Sequence, residues 1–163
     1  MLFCEGATIC AGCKGPVGER LDECTGCGKV QVVDVTNEKA IFFESLEDSQ
    51  VLTAYNVLRT KLHIYDNRMV EFSEKAMAVC LTEENFDQFF QIGESLLPAY
   101  KMYFPPNSIS LGLHLAKLAK TAIYLNKTEE AILYLKECFD LFKLSHGEDS
   151  NLYQYLSTLR GTI

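Results

Sequence analysis

Apolar residues recur at helical spacing through most of the chain after residue 34. In residues 34–163 the apolar positions return every three or four residues, and glycines are few. This period places apolar side chains on one face of a helix. No clear strand run appears after Val35. The pattern therefore predicts a mainly α domain over residues 34–163.

Six helices are predicted from capping residues and helix breakers. Polar caps accept hydrogen bonds from the free N–H groups of a first turn, whereas proline and glycine end a helix. The predicted starts are Thr36 or Asn37, Asp66 or Asn67, residues 82–85, Asn107 or Ser108, residues 127–130, and Asp149 or Ser150. The first five helices are expected to end in the low 60s, near Val79, before Pro105, near Leu125 and at His146.

An internal repeat appears when the chain is shifted along itself by 42 residues, which aligns Tyr100 with Phe142 and Ser108 with Ser150. Repeats of this length indicate stacked helix pairs, because one pair cannot bury its apolar face alone. With Gly112 as position one, the positions expected to be apolar in a tetratricopeptide repeat are Leu115, Leu118, Ala119, Ala122, Ala131, Leu135 and Cys138. Ala122 stands where an aromatic is usual. We therefore predict a tetratricopeptide-like antiparallel helical array whose earlier copies are degenerate.

The first 33 residues have a different composition, with five of the seven cysteines in the first 27 residues. Cys10-Ala-Gly-Cys13 and Cys24-Thr-Gly-Cys27 are two C-x-x-C turns ten residues apart. Two such turns can close a four-sulfur zinc site. No βαβ pattern surrounds them, which argues against a thioredoxin-type redox motif. Residues 1–33 are thus predicted to form a small zinc ribbon with Cys10, Cys13, Cys24 and Cys27 as ligands.

Cys4 stands outside this paired spacing, and its role is open. It could belong to a second site, serve as an alternate ligand, or be an inert thiol, and we favour the first. Cys80 and Cys138 lie among apolar residues and are interpreted as core cysteines. His146 precedes Gly147 and is interpreted as a residue at a helix end rather than a catalytic one.

Charge and hydropathy exclude several classes of partner. The net charge of −7 and the pI near 5.0 disfavour nucleic acid, because a phosphate backbone is bound by clustered lysine and arginine. No apolar stretch approaches a membrane span, and the first residues lack the features of a signal peptide. We expect a cytoplasmic or nuclear protein without a membrane or nucleic-acid partner.

The cysteine pattern, C-x-x-C-x-G-P-V followed by C-x-x-C-G, precedes predicted helices and the segment His146-Gly147-Glu148-Asp149-Ser150. This arrangement resembles the C-terminal region of SET and MYND domain protein lysine methyltransferases. The resemblance implies a zinc segment that follows a SET domain, then tetratricopeptide-like helices. It implies S-adenosylmethionine as a cofactor of the intact family parent only, because the family's Asn-His-Ser-Cys-type donor motif, its catalytic tyrosine and its MYND finger do not occur here.

Two functions follow as hypotheses. The first is a non-catalytic interaction module that contains structural zinc and no catalytic residue. Its partner would be a peptide or protein, favoured to be basic by the acidic balance of the chain, or the SET domain of the parent. The second is a part of an active methyltransferase. Nucleic-acid binding by the ribbon is disfavoured, because residues 1–33 are slightly acidic.

Overall fold

The computed structural model describes residues 8–10, 12–13, 16–17, 24, 26–29 and 48–162. Two short strands and six helices lie in this part of the chain: β1 (Thr8–Ile9), β2 (Pro16–Val17), α1 (Asp48–Lys61), α2 (Asn67–Thr82), α3 (Phe86–Tyr103), α4 (Ile109–Tyr124), α5 (Thr128–His146) and α6 (Asn151–Arg160). The predicted mainly α fold is confirmed. None of the helices described here has the length and apolar character of a membrane span.

The chain divides into two compact units, Met1–Glu83 and Glu84–Ile163. The first contains the hairpin of β1 and β2 together with α1 and α2, and the second contains α3 to α6. The predicted boundary between residues 33 and 34 lies outside the described residues and stays a prediction. The predicted start of the first helix at Thr36 or Asn37 lies outside them too.

In the first unit, α1 and α2 bury one face each. α1 ends at Lys61, as predicted, and α2 ends three residues beyond the predicted Val79. Asp66 caps α2: its Oδ1 accepts a hydrogen bond from the N–H of Arg68 at 2.8 Å. The Arg68 side chain also donates from Nη2 to Oδ2 of Asp66 at 2.7 Å. The carboxylate of Asp66 is fully buried, and the Arg68 guanidinium balances its charge at the start of α2.

In the second unit, the caps are Asn85, Ser108 and Ser150, and each lies within the start that the sequence predicts. Each accepts a hydrogen bond from a backbone N–H of its own first turn. Ser108 and Ser150 are the pair aligned by the 42-residue shift. Pro98 stands inside α3 without ending it. Pro98 is exposed, so its ring lies on the solvent side of the helix.

The closest helix packing in this unit joins α4 to α5. All seven positions of the repeat pattern, from Leu115 to Cys138, are buried. A Cβ added to Gly112 would lie 2.7 Å from Cζ of Phe142, and the thiol of Cys138 donates to the Gly112 carbonyl at 3.3 Å. The backbone of α4 therefore lies directly against side chains of α5. Burial of the predicted seam is confirmed, while the tetratricopeptide-like arrangement stays a prediction.

α3 packs against both helices of this pair. Nε2 of His114 lies 2.9 Å from the carbonyl oxygen of Gly93, and the His114 ring stacks on Tyr100 with 4.2 Å between centroids. From α5, the hydroxyl of Tyr134 donates to Glu94 at 2.7 Å. α6 packs on α5, and its buried residue is Leu156.

We expect Ala131→Glu to unfold the second unit, because Ala131 is 0% exposed in the seam between α4 and α5. A buried carboxylate without a partner should lower the free energy of unfolding by at least about 3 kcal/mol. The matched control is Ile132→Glu, because Ile132 is the adjacent residue and is 54% exposed. Thermal melts followed by circular dichroism compare the two variants. A melting temperature of Ala131→Glu equal to that of the control would contradict the packing of this seam.

Candidate metal centre

The structure brings together the four cysteines of the two C-x-x-C turns. The Sγ atoms of Cys10, Cys13, Cys24 and Cys27 all lie within 4.8 Å of one another. The Sγ atoms of Cys10 and Cys27 are 3.5 Å apart, and those of Cys13 and Cys24 are 3.4 Å apart. Both of these short contacts join one turn to the other, so the two turns close on a shared centre.

The first turn belongs to a small antiparallel hairpin. Thr8 pairs with Val17 and Ile9 with Pro16, so Cys10 follows directly after β1. The backbone N–H groups of Gly12 and Cys13 donate to Sγ of Cys10 at 3.3 and 3.4 Å. These hydrogen bonds hold the sulfur against its own turn. Hydrogen bonds of this kind, to an atom that binds metal, orient the ligand.

The second turn repeats this arrangement. The N–H of Gly26 donates to Sγ of Cys24 at 3.4 Å, and the N–H of Gly28 donates to the Cys24 carbonyl at 2.7 Å. Gly28 has φ of +68°, a left-handed conformation that glycine adopts without strain. Cys24 also donates its N–H to the carbonyl of Lys29 at 3.0 Å. The two C-x-x-C segments thus fold into the same kind of turn.

The cluster is half enclosed, and its geometry favours the thiolate form of Cys10. Cys10 and Cys24 are buried, whereas Cys13 and Cys27 are exposed. The pKa of Cys10 is lowered to about 6, first by the N–H of Cys13. Burial opposes this shift, and the N–H of Gly12 and the neighbouring thiols support it. Because the thiolate is the form that binds metal, the site favours a cation.

The geometry suits a tetrahedral ion with sulfur ligands. With Zn–S bonds of about 2.3 Å, a regular tetrahedron has S–S edges of about 3.8 Å. The two shortest S–S distances here are slightly below that value, and the upper limit of 4.8 Å is somewhat above it. Four thiolates form a donor set that selects zinc over hard cations such as Mg²⁺. These four side chains could therefore hold one zinc ion.

Lys29 is a neighbour of this cluster that the sequence analysis did not assign. A Cβ added to Gly12 would lie 2.8 Å from Cδ of Lys29 and 3.2 Å from its Nζ, so the lysine side chain covers the first turn. Four thiolates around one Zn²⁺ leave an excess of negative charge, which a nearby ammonium group offsets. The feature of the sequence that could have indicated this role is a basic residue two positions after Cys27.

The other cysteines lie apart from this centre or outside the described residues. Cys80 and Cys138 are both 0% exposed, which confirms their interpretation as core cysteines. Burial, with a smaller contribution from Glu137, raises the pKa of Cys138 to about 12. Burial, with a smaller contribution from Glu83, raises the pKa of Cys80. Both thiols therefore stay protonated and unreactive near neutral pH. Cys4 lies outside the described residues.

The three histidines take local structural positions. His114 is buried between α3 and α4, as described above. His63 accepts the N–H of Tyr65 on its Nδ1 at 3.3 Å, and burial lowers its pKa. His146 is the last residue of α5, as predicted, and its ring is 2.6 Å from the Ser145 hydroxyl. Each of the three histidine rings therefore contacts neighbouring atoms of the protein.

Comparison with known proteins gives partial matches to methyltransferases. No family model matches the chain. The chain is 27% identical over 81 residues to the N-lysine methyltransferase SMYD2-A of Danio rerio. This match covers 50% of this chain and 19% of that protein. It is 25% identical over 92 residues to SMYD2-A of Xenopus laevis, which covers 56% of this chain and 21% of the relative.

A plant protein matches over a longer stretch. The histone-lysine N-methyltransferase ASHR1 of Arabidopsis thaliana is 26% identical over 126 residues, which are 74% of this chain and 26% of the relative. The matches thus span about a fifth to a quarter of the length of these relatives. They support a relationship between this chain and the SET and MYND lysine methyltransferases that its cysteine pattern resembles.

Proposed function

We propose that this chain is a non-catalytic, zinc-binding and protein-interaction module, equivalent to the C-terminal region of a SET and MYND domain lysine methyltransferase. The observation that carries the proposal is the convergence of four cysteine sulfurs within 4.8 Å. The matches to methyltransferases from two vertebrates and a plant support the family relationship.

The zinc would have a structural role. Cys10, Cys13, Cys24 and Cys27 fill all four positions of a tetrahedral ion, which leaves none for a water molecule or a substrate. An ion closed in this way does not act as a Lewis acid. Among the described residues of this segment, the buried side chains are those of Cys10 and Cys24. The metal would replace the hydrophobic core that a segment of this size lacks.

Three candidate catalytic side chains of the described residues are withdrawn from solvent. Proton transfer or nucleophilic attack needs a histidine, cysteine or carboxylate that is accessible and activated. Here His114 is bound in the core, and Cys80 and Cys138 are buried thiols with raised pKa values. We propose binding as the role of the helices.

A basic peptide, a basic protein segment or a SET domain is the proposed partner. In the second unit, the carboxylates of Glu94, Glu130 and Glu137 lie close enough to Tyr134 to raise the pKa of its phenol, although burial is the largest cause of that shift. A surface with several carboxylates favours a cationic partner. Tetratricopeptide-like stacking of α3 to α5 would give this surface the form of a binding groove.

The alternative function is a part of an active S-adenosylmethionine-dependent lysine methyltransferase. The names of the relatives favour it, and so does the small share of their length that the matches cover. In that case residues 1–163 would form one wall of a substrate cleft, and the donor pocket would lie in other segments.

We expect one equivalent of tightly bound zinc in protein purified without chelator. The double variant Cys24→Ser with Cys27→Ser should retain less than a tenth of an equivalent, because two thiolates do not close the site. The control is Cys80→Ala, which removes a buried cysteine of α2 and should keep the full equivalent. Elemental analysis by mass spectrometry measures the metal. Less than half an equivalent in the unaltered chain would overturn the zinc assignment.

The chain by itself is expected neither to bind S-adenosylmethionine nor to methylate lysine. Methyl transfer needs a donor pocket, a channel that desolvates the amine and a positioned aromatic hydroxyl. Calorimetry with the methyl donor and a radiolabel transfer assay on protein extract make the test, with an active lysine methyltransferase as the positive control. Micromolar donor binding, or transfer above background, would overturn the non-catalytic proposal.

A further inference from the structure

A groove of about 540 Å³ lies between α5 and α6, the last two helices of the chain. Four of its lining residues are apolar, and we call them its floor: Ile132, Leu135, Phe139 and Tyr153. The Phe139 and Tyr153 rings meet edge to face with 5.0 Å between centroids, so the two aromatic residues of the floor pack against each other. Ile132 is 54% exposed although it lies on this apolar floor. The volume is in the range of sites that bind small molecules or peptide side chains.

The rim of the groove carries two cations and one anion. Lys136 and Asp140 lie one helical turn apart on α5, and Arg160 is the last residue of α6. The Arg160 guanidinium is 5.9 Å from the ring centre of Phe139, so its charge lies close to the aromatic floor. The lining therefore has a net charge of +1 in a chain whose net charge is −7.

These two cations differ from other basic residues of the second unit. Lys101 forms a salt bridge with Glu137, and Lys143 forms one with Glu148. Within the described part of the chain, neither Lys136 nor Arg160 is in a salt bridge with a carboxylate. An external carboxylate could therefore bind them without displacing an internal one.

We propose that the groove between α5 and α6 binds an acidic peptide segment, with one large apolar side chain on the aromatic floor and flanking carboxylates at Lys136 and Arg160. The planar guanidinium can donate two parallel hydrogen bonds to one carboxylate. Asp140 repels a second anion on its side of the groove, which orients the peptide with its carboxylates toward the cations. The proposal concerns residues 128–160 and depends neither on zinc nor on the relationship to methyltransferases.

The binding test uses fluorescence anisotropy with the full chain and a fluorescein-labelled peptide of sequence Glu-Glu-Phe-Glu-Glu, amidated at its C-terminus. The amide removes the terminal carboxylate, so the carboxylates of the peptide itself are all on side chains, and every peptide carries the same dye. Two comparison peptides carry Lys at every Glu position, or Gly in place of Phe. We expect saturable binding of the first peptide and binding at least about tenfold weaker for each of the others, because charge and apolar burial both contribute.

Two double variants each replace two basic residues with glutamate, one inside the groove and one outside it. Lys136→Glu together with Arg160→Glu should weaken the first peptide at least about tenfold. Lys117→Glu together with Lys120→Glu, two exposed residues of α4 that do not line the groove, should change its affinity less than about twofold at ~0.15 M salt, where distant charges are screened. All four positions are exposed, so both variants should keep the helical circular-dichroism spectrum of the parent.

Three results would overturn the proposal. The first is the absence of saturable binding by the acidic peptide. The second is equal or tighter binding of the lysine peptide, which would show that the surface selects a basic partner. The third is an equal loss of affinity in both double variants, which would show attraction by net charge alone. A loss confined to the Lys136 and Arg160 variant supports the site.

Discussion

The close crossing of α4 and α5 is the contact on which the second unit depends. At Gly112 the backbone of α4 lies so near the Phe142 ring that no Cβ fits without movement of the neighbouring side chains, and the Cys138 thiol donates to the Gly112 carbonyl at the same place. Small residues such as Ala119 and Ala131 allow this approach to continue along the seam. The position of α5 then determines where α3 and α6 can pack, since both contact it.

The cysteine centre fulfils the corresponding role for the short N-terminal hairpin. Two strands of two residues cannot bury a core, and a single hairpin is marginally stable in water. Sulfur atoms aimed at one point by backbone N–H groups provide a different means of closure, in which a metal would supply the stabilising energy. One ion would then be shared by four cysteines of different burial, the exposed Cys13 and Cys27 and the buried Cys10 and Cys24.

The two candidate sites differ in chemistry and in what they can recognise. The cysteine centre offers soft, anionic ligands with every coordination position filled, which suits a structural ion. The groove beside α6 offers an aromatic floor below two cations, which suits an amphipathic anion. The carboxylates near Tyr134 present the opposite sign of charge on the same unit. A module that displays both signs on separate surfaces could bind more than one partner segment, each by its own charge pattern.

The sequence by itself determined the features that depend on short separations along the chain. It placed the caps at Asp66, Asn85, Ser108 and Ser150 to within a few residues, because each cap bonds within two or three residues. The seam of α4 and α5 follows from apolar spacing, and the C-x-x-C turns follow from cysteine and glycine positions. Only the tertiary structure decided which sulfurs approach each other across the turns and that Arg160 lies above Phe139. These features depend on how distant segments pack, and no local spacing encodes that.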